Sequence, residues 1–178
     1  SMPPLEIPRA LVRIEGGAAE ITAGDASILG TENRRVSFKG MRLTAVETAP
    51  GDQPTAEVAF RVQGSLGAVA ELADRDGLEL FRSAGISLPV LDGKIDGALK
   101  LTMPLGDNVH LSEVRNEGKI RISDIRAKSA IANLDITGGT FNIDLNDRAI
   151  DVKGEVLAKG VPARMSWQYL TNLAAERQ

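Results

Sequence analysis

His110 is the only histidine in the 178 residues and cysteine is absent. Metal and nucleophile chemistry therefore has few places to start. Glu113 follows His110 by three residues, but one His and one Glu do not make the three- or four-ligand set of a zinc site. Flanked by Val109 and Leu111, His110 reads as an outward or edge residue and not as a general base. Gly64-Ser65-Leu66-Gly67 lacks the Gly-x-Ser-x-Gly spacing of a strained nucleophile elbow, and Ser65 reads as a helix cap. Asp144, Asn146, Asp147 and Asp151 gather oxygen ligands, yet the central glycine and closing glutamate of a calcium loop are missing. A polar hairpin turn is the simpler reading. Asp92 and Asp96 share one face of a strand as a possible carboxylate pair, with nothing nearby to raise either pKa. No Walker loop or dinucleotide fingerprint occurs. The sequence thus points away from an enzyme, and from any metal or cofactor.

Composition narrows the partners. Net charge is −3 with a pI near 5.3, which disfavours nucleic acid. Arg34-Arg35 and the Arg121, Arg126, Lys128 group read as solvated faces rather than phosphate clamps. Aromatic residues make up 3% of the chain, too few for base-stacking platforms. No apolar run is long enough to span a bilayer as a helix. Ser1-Met2 reads as a tag remnant ahead of an internal start, and the chain as a piece of a longer protein.

The elements follow from periodicity. Gly160 to Gln168 alternates: Val161, Ala163, Met165 and Trp167 on one side, Pro162, Arg164, Ser166 and Gln168 on the other, as in a half-buried strand. The same period-two pattern runs through Ala10–Gly16, Ala18–Gly24, Arg34–Thr48 with a bend at Gly40, and Thr55–Gly64. It resumes after Pro89, with Leu99, Leu101 and Met103 inward, then Ile120 and Ile122, then Phe141, Ile143 and Leu145. Asn146-Asp147-Arg148 and Lys159-Gly160 read as hairpin turns. Glycines at 93, 118, 139 and 154 each precede an alternating run and read as a repeated hairpin habit. The period changes once. Leu66, Val69, Ala70 and Ala73 form a helical stripe, and a second short helix is expected from Asp76, giving a helical pair over about 66–84.

This count gives ten to twelve strands, each about 4.8 Å from its neighbour, so an open sheet would span on the order of 50 Å. One helix is about 10 Å across and cannot roof that width. Either the sheet closes on itself as a sandwich or filled barrel, or it curls into a gutter whose apolar floor is covered by something else. Packing considerations alone favour the closed core.

Three stretches shift that balance: "AFRVQGSLGAVAELADRDGLELFRSAGI", "LDGKIDGALKLTMPL" and "GEVLAKGVPARMSW". Their order is a strand ending at Gly64, a helical stretch over Leu66–Ala84, a step at Met103-Pro104-Leu105, and a closing hairpin with Pro162 and Trp167. Over residues 55 to 170 the sequence resembles the AsmA-like envelope proteins, in particular their YhdP branch. The resemblance implies an extended, twisted antiparallel sheet curled into a groove or half-barrel. It also implies a periplasmic segment of a longer protein, tethered to the inner membrane of a Gram-negative bacterium, that carries phospholipid toward the outer membrane. Implied partners are acyl chains, neighbouring β-segments of the full-length chain, and inner and outer membrane components. Residues 1–2 are then the tag remnant, 3–54 N-terminal strands, 55–170 the AsmA-like region and 171–178 a tail. The alternation, not the family, supplies the lipid-facing candidates: Leu99, Leu101, Met103, Phe141, Ile143, Leu145, Val161, Ala163, Met165 and Trp167. The competing reading is a structural or assembly module with a closed β core.

Overall fold

In the computed structural model the described residues are 7, 9–15, 18–29, 35–46, 53–73, 91–106, 113–131 and 134–170. They form nine strands: β1 (Ala10–Glu15), β2 (Ala18–Leu29), β3 (Arg35–Val46), β4 (Thr55–Ser65), β5 (Leu91–Pro104), β6 (Arg115–Ile131), β7 (Leu134–Leu145), β8 (Ala149–Ala158) and β9 (Val161–Leu170). One helix, α1 (Leu66–Ala73), joins the set between β4 and β5. Every strand pairs antiparallel with its sequence neighbour, in the order β1 through β9. The outer strands do not pair with each other, so the sheet is curled but not closed into a barrel. Among the described residues the strands form one sheet and neither a second layer nor a closed barrel, against the closed core that packing alone favoured. The second helix expected from Asp76, His110, the Gly16-Gly17 turn and both termini lie outside the described residues.

Alternation explains the strands, and register explains why their faces agree. Leu99 pairs with Phe60 on one side and Gly118 on the other, and Gly118 pairs with Leu145. Leu145 pairs with Ile150, which pairs with Tyr169. Each pairing preserves the face, because side chains of directly opposed residues project to the same side. Strands also run longer than the sequence count implied, reaching 17 residues in β6. Extra residues bend them without ending them. The β3–β4 register shifts between Lys39 and Arg42, beside Gly40 at φ +57°. Another shift accompanies Asp124 at φ 56°, and a third falls between Ile136 and Gly138. A bulge inserts one residue, increases the local twist and keeps the apolar side chains on one face.

The helix sits on this apolar face near one end of β3, β4 and β5. Ala68 and Ala70 are buried there, and Ala68 packs with Val36, Val62 and Phe38. Small residues let the helix backbone approach the sheet, and Leu66 lies over the side-chain-free position at Gly93. A second cluster, with Ile125, Ile136, Phe141, Val152 and Val156, occupies β6 to β8. Of the sixteen buried apolar residues described, seven are alanine. The buried core is therefore small in volume for this many strands.

The recurrent glycines do not start hairpins. Gly118 and Gly154 lie inside β6 and β8 on the apolar face. A Cβ on Gly118 would meet Leu99 Cδ2 at 2.6 Å, and one on Gly154 would overlap the Phe141 ring. Large side chains of adjacent strands fold over these positions, flattening the face. Gly154→Val is expected to cost at least about 1–3 kcal/mol, the usual penalty of overpacking, read from urea unfolding. Gly24→Ala, where an added Cβ meets nothing within 4 Å, should stay within about 0.5 kcal/mol of the parent. Equal effects at both positions would contradict this packing.

Candidate functional site

The strand register places all ten candidate residues on the apolar face. On β5, Leu99, Leu101 and Met103 pair with Phe60, Val58 and Ala56. Across β6, Phe141 and Ile143 of β7 pair with Ile122 and Ile120, and Leu145 with Gly118. On β9, Val161, Ala163, Met165 and Trp167 pair with Ala158, Val156, Gly154 and Val152. Phe141 is buried at 7% exposure, while Val161 at 65% and Trp167 at 47% are open to solvent. The others are half-buried.

Trp167 and Phe141 meet edge-to-face, ring centroids 5.4 Å apart. They belong to strands separated by β8, and Gly154 of β8 leaves the space for the Phe141 ring to reach across. Such a pair adds about 0.5–1.5 kcal/mol beyond its buried area. Phe38 and Phe60 form a similar contact at 5.5 Å on the other half of the face.

The apolar face extends further than the candidates. Val12 pairs with Ile21, which pairs with Leu43, so the face continues onto β1 and β2. Ile14 at 77% exposure and Val12 at 56% mark one margin, and Tyr169 at 54% joins Trp167 at the other. The sequence reading finds the β1 alternation but does not count Val12 and Ile14 as part of the face, because β1 has only six residues and its pairing with β2 is nonlocal information. The signal was the alternation of Val12 and Ile14, which is short but present. Eight spacings of about 4.8 Å make the face roughly 38 Å wide. The eight-residue helix is about 12 Å long and 10 Å across. Among the described residues it is the one element laid on this face, and it roofs three of the nine strands.

The opposite face is charged and internally paired. Arg61 Nε and Nη2 donate to the two Asp96 carboxylate oxygens at 2.7 and 2.8 Å. Lys100 pairs with Glu57 at 2.7 Å, Lys94 with Asp124 at 3.0 Å, and Arg42 with Glu20 at 3.1 Å. A depression of about 870 Å³ is bordered by Lys39, Arg61, Lys100, Glu117, Lys119 and Asp144 around Ala59 and Ala98, and also by Phe60, Leu99 and Leu145. Its size exceeds that of the other described depressions, but three of its four cations are matched by a carboxylate: Asp96, Glu57 and Asp144. The large exposed hydrophobics Val12, Ile14, Trp167 and Tyr169 lie on the apolar side instead.

The carboxylates considered for acid–base work are accounted for. Asp92 accepts a hydrogen bond from Gly93 N at 2.8 Å. Asp96 is held below the usual carboxylate range, chiefly by its hydrogen bonds from Arg61, the reverse of what a general acid needs. Asn146 Oδ1 accepts from the N–H groups of Arg148 and Ala149, both at 3.0 Å, and Asp147 Oδ1 accepts from Asn116 N at 3.2 Å. The expected hairpin turn is therefore built by these side chains. Among the described residues no group of three or more His, Asp or Glu is placed to hold a metal ion.

A depressed pKa means that the Arg61–Asp96 contact favours the folded state above the ordinary carboxylate range and fades as acid protonates Asp96. Arg61→Gln should move the Asp96 titration upward toward its ordinary value in a carbon-detected carboxyl experiment. An unchanged titration would show that the pair does not persist in solution. Compared with protein-family models, with curated proteins and with solved structures, the chain matches none.

Proposed function

We propose that the apolar face is a lane for the hydrocarbon tails of phospholipids, and that this chain is a periplasmic segment of an inner-membrane-tethered, AsmA-like protein that moves lipid toward the outer membrane. One observation carries the reading: register keeps apolar side chains on one side through all nine strands, while the described helix roofs three. Large hydrophobics stay exposed at both margins of that face.

The physics needs no catalytic group. Each methylene removed from water is worth about 0.8 kcal/mol, so a whole acyl chain gains on the order of 10 kcal/mol. A tail about 15 Å long, half the hydrocarbon thickness of a bilayer, fits easily within the roughly 38 Å width of the face. Headgroups stay in water at the margins, where Trp167 and Tyr169 offer apolar rings with polar tips. The lane binds through area and not through directional bonds, so a tail can slide along it.

Trp167 is the sole tryptophan and reports occupancy directly. Phospholipid with brominated tails should quench its emission, whereas the unbrominated lipid should not. Met165→Glu, which puts a carboxylate beside Trp167 on the same face, should abolish quenching while the far-ultraviolet circular dichroism stays that of a β protein. Emission indifferent to brominated lipid, or quenching that survives Met165→Glu in a folded protein, would rule the lane out.

A further inference from the structure

We infer that the charged face carries an anion site, in which Arg121 of β6 and Lys153 of β8 close on one phosphate group over Asn142 of β7. Register builds it. Arg121 pairs with Asn142, Asn142 with Lys153, and Lys153 with Ser166. Directly opposed residues project to the same side, so these four form one row across four strands. Two strand spacings, about 10 Å, separate the two cations. Asn142 is shorter than either, so both long side chains have room to lean inward over it. A depression of about 640 Å³ covers the row and extends to Thr140, Glu155 and Arg164, with Gly154 and Met165 completing its lining. The sequence groups Arg121 with Arg126 and Lys128, but the fold gives it Lys153 as the cation across β7.

The charge pairing differs here from the rest of the face. In the larger depression three of four cations are matched by a carboxylate. Here Arg121 and Lys153, two of three, have no ion pair or side-chain hydrogen bond among the described residues. Every neighbouring carboxylate is held by another group. Asp96, opposite Arg121 on β5, accepts from Arg61 through both oxygens. Glu155 is paired with Arg164 at 2.9 Å, and Asp144 faces Lys119 at 3.8 Å. Asp151 accepts from Gln168 at 2.9 Å. The side chains of Thr140, Asn142 and Ser166 also make no hydrogen bond among the described residues. Two cations and three neutral donors therefore converge on a space that supplies them with no acceptor.

That donor set suits a phosphate group better than a carboxylate. A guanidinium donates two parallel N–H bonds to two oxygens, and an ammonium takes a third as a point charge. The amide and hydroxyls lie between and beside them. A planar carboxylate, with two oxygens, would satisfy one cation and leave the other. Asp144 and Asp151 on one side of the row and Glu155 on the other repel a second phosphate, so the site fits one group and not a polyanion. Both cations sit on strands flanked on each side by described strands, so the site is independent of whatever adjoins β1 or β9. It lies opposite the lane and does not rest on the lipid reading.

Titration with inorganic phosphate, against chloride at matched ionic strength, tests the site by NMR. Saturable shifts are expected at the Asn142 side-chain amide and the Arg121 Nε–H. Arg121→Gln and Lys153→Gln should each weaken binding about tenfold, the worth of one charge-assisted hydrogen bond. Lys94→Gln removes an equal charge from the same face, where Lys94 is paired with Asp124, and should leave binding unchanged. All three residues are exposed, so each variant should keep the parent's circular dichroism. Acetate should bind more weakly than phosphate. Vesicles of phosphatidylcholine with and without phosphatidic acid identify the source of the group. Sedimentation with phosphatidic acid that Arg121→Gln abolishes assigns a lipid headgroup; phosphate binding without it assigns a soluble phosphate. Shifts that chloride reproduces, acetate binding as tight as phosphate, or equal weakening by Lys94→Gln overturn the proposal. So does the absence of both a saturable phosphate shift and Arg121-dependent sedimentation.

Discussion

Everything in this molecule depends on the period of two in an extended backbone, carried from strand to strand by direct pairing. Within one strand the period only sorts side chains into two sets. Nine strands in unbroken antiparallel order turn that local sorting into a property of the whole sheet. One surface becomes predominantly apolar, with Asn116 among its side chains, and the other predominantly charged, with Leu11 and Leu157 exposed on it. A one-residue slip anywhere would exchange the faces from that strand onward. Strong register is therefore both the folding problem and its solution.

Two devices protect the register. On the polar side, cross-strand ion pairs link β2 to β3, β4 to β5, β5 to β6, β6 to β7 and β8 to β9. Each is exposed and screened, so its value lies in opposing the wrong alignment more than in net stability. On the apolar side, glycines sit opposite large neighbours: Gly97 against Ile120, Gly118 against Leu99, Gly154 against Phe141. Shifting a strand would drive a branched side chain into an aromatic ring or a backbone carbonyl. Bulges at Gly40 and Asp124 add twist while restoring the facing of the residues beyond them.

The β class and the alternating faces were legible in the sequence because alternation is a local signal. Met165 and Trp167, or Ile143 and Leu145, declare their shared side within a few residues. The helix start at Leu66 was legible for the same reason, since the period changes there. The function of the recurrent glycines was hidden. Gly118 and Gly154 look like turn residues until a neighbouring strand lays Leu99 or Phe141 over them, and that contact is nonlocal. Closure was equally hidden, because a sandwich strand and a groove strand share one pattern. Only the pairing separates them: all nine described strands form one sheet, and β1 and β9 each have a single neighbour. The extension of the apolar face onto Val12 and Ile14 was hidden because alternation in six-residue β1 does not say which face of the sheet it joins; the pairing of Val12 with Ile21 and of Ile21 with Leu43 does.

The central claim is that hydrocarbon occupies one face and not the other. Methyl-resolved NMR with a spin-labelled phospholipid tests it most directly. The account predicts strong broadening of the Ile120, Ile122, Ile143 and Ile150 methyls, with the Ala59 and Ala98 methyls on the charged face unaffected. Methyls of both faces broadening equally, or none broadening at saturating lipid, would contradict it.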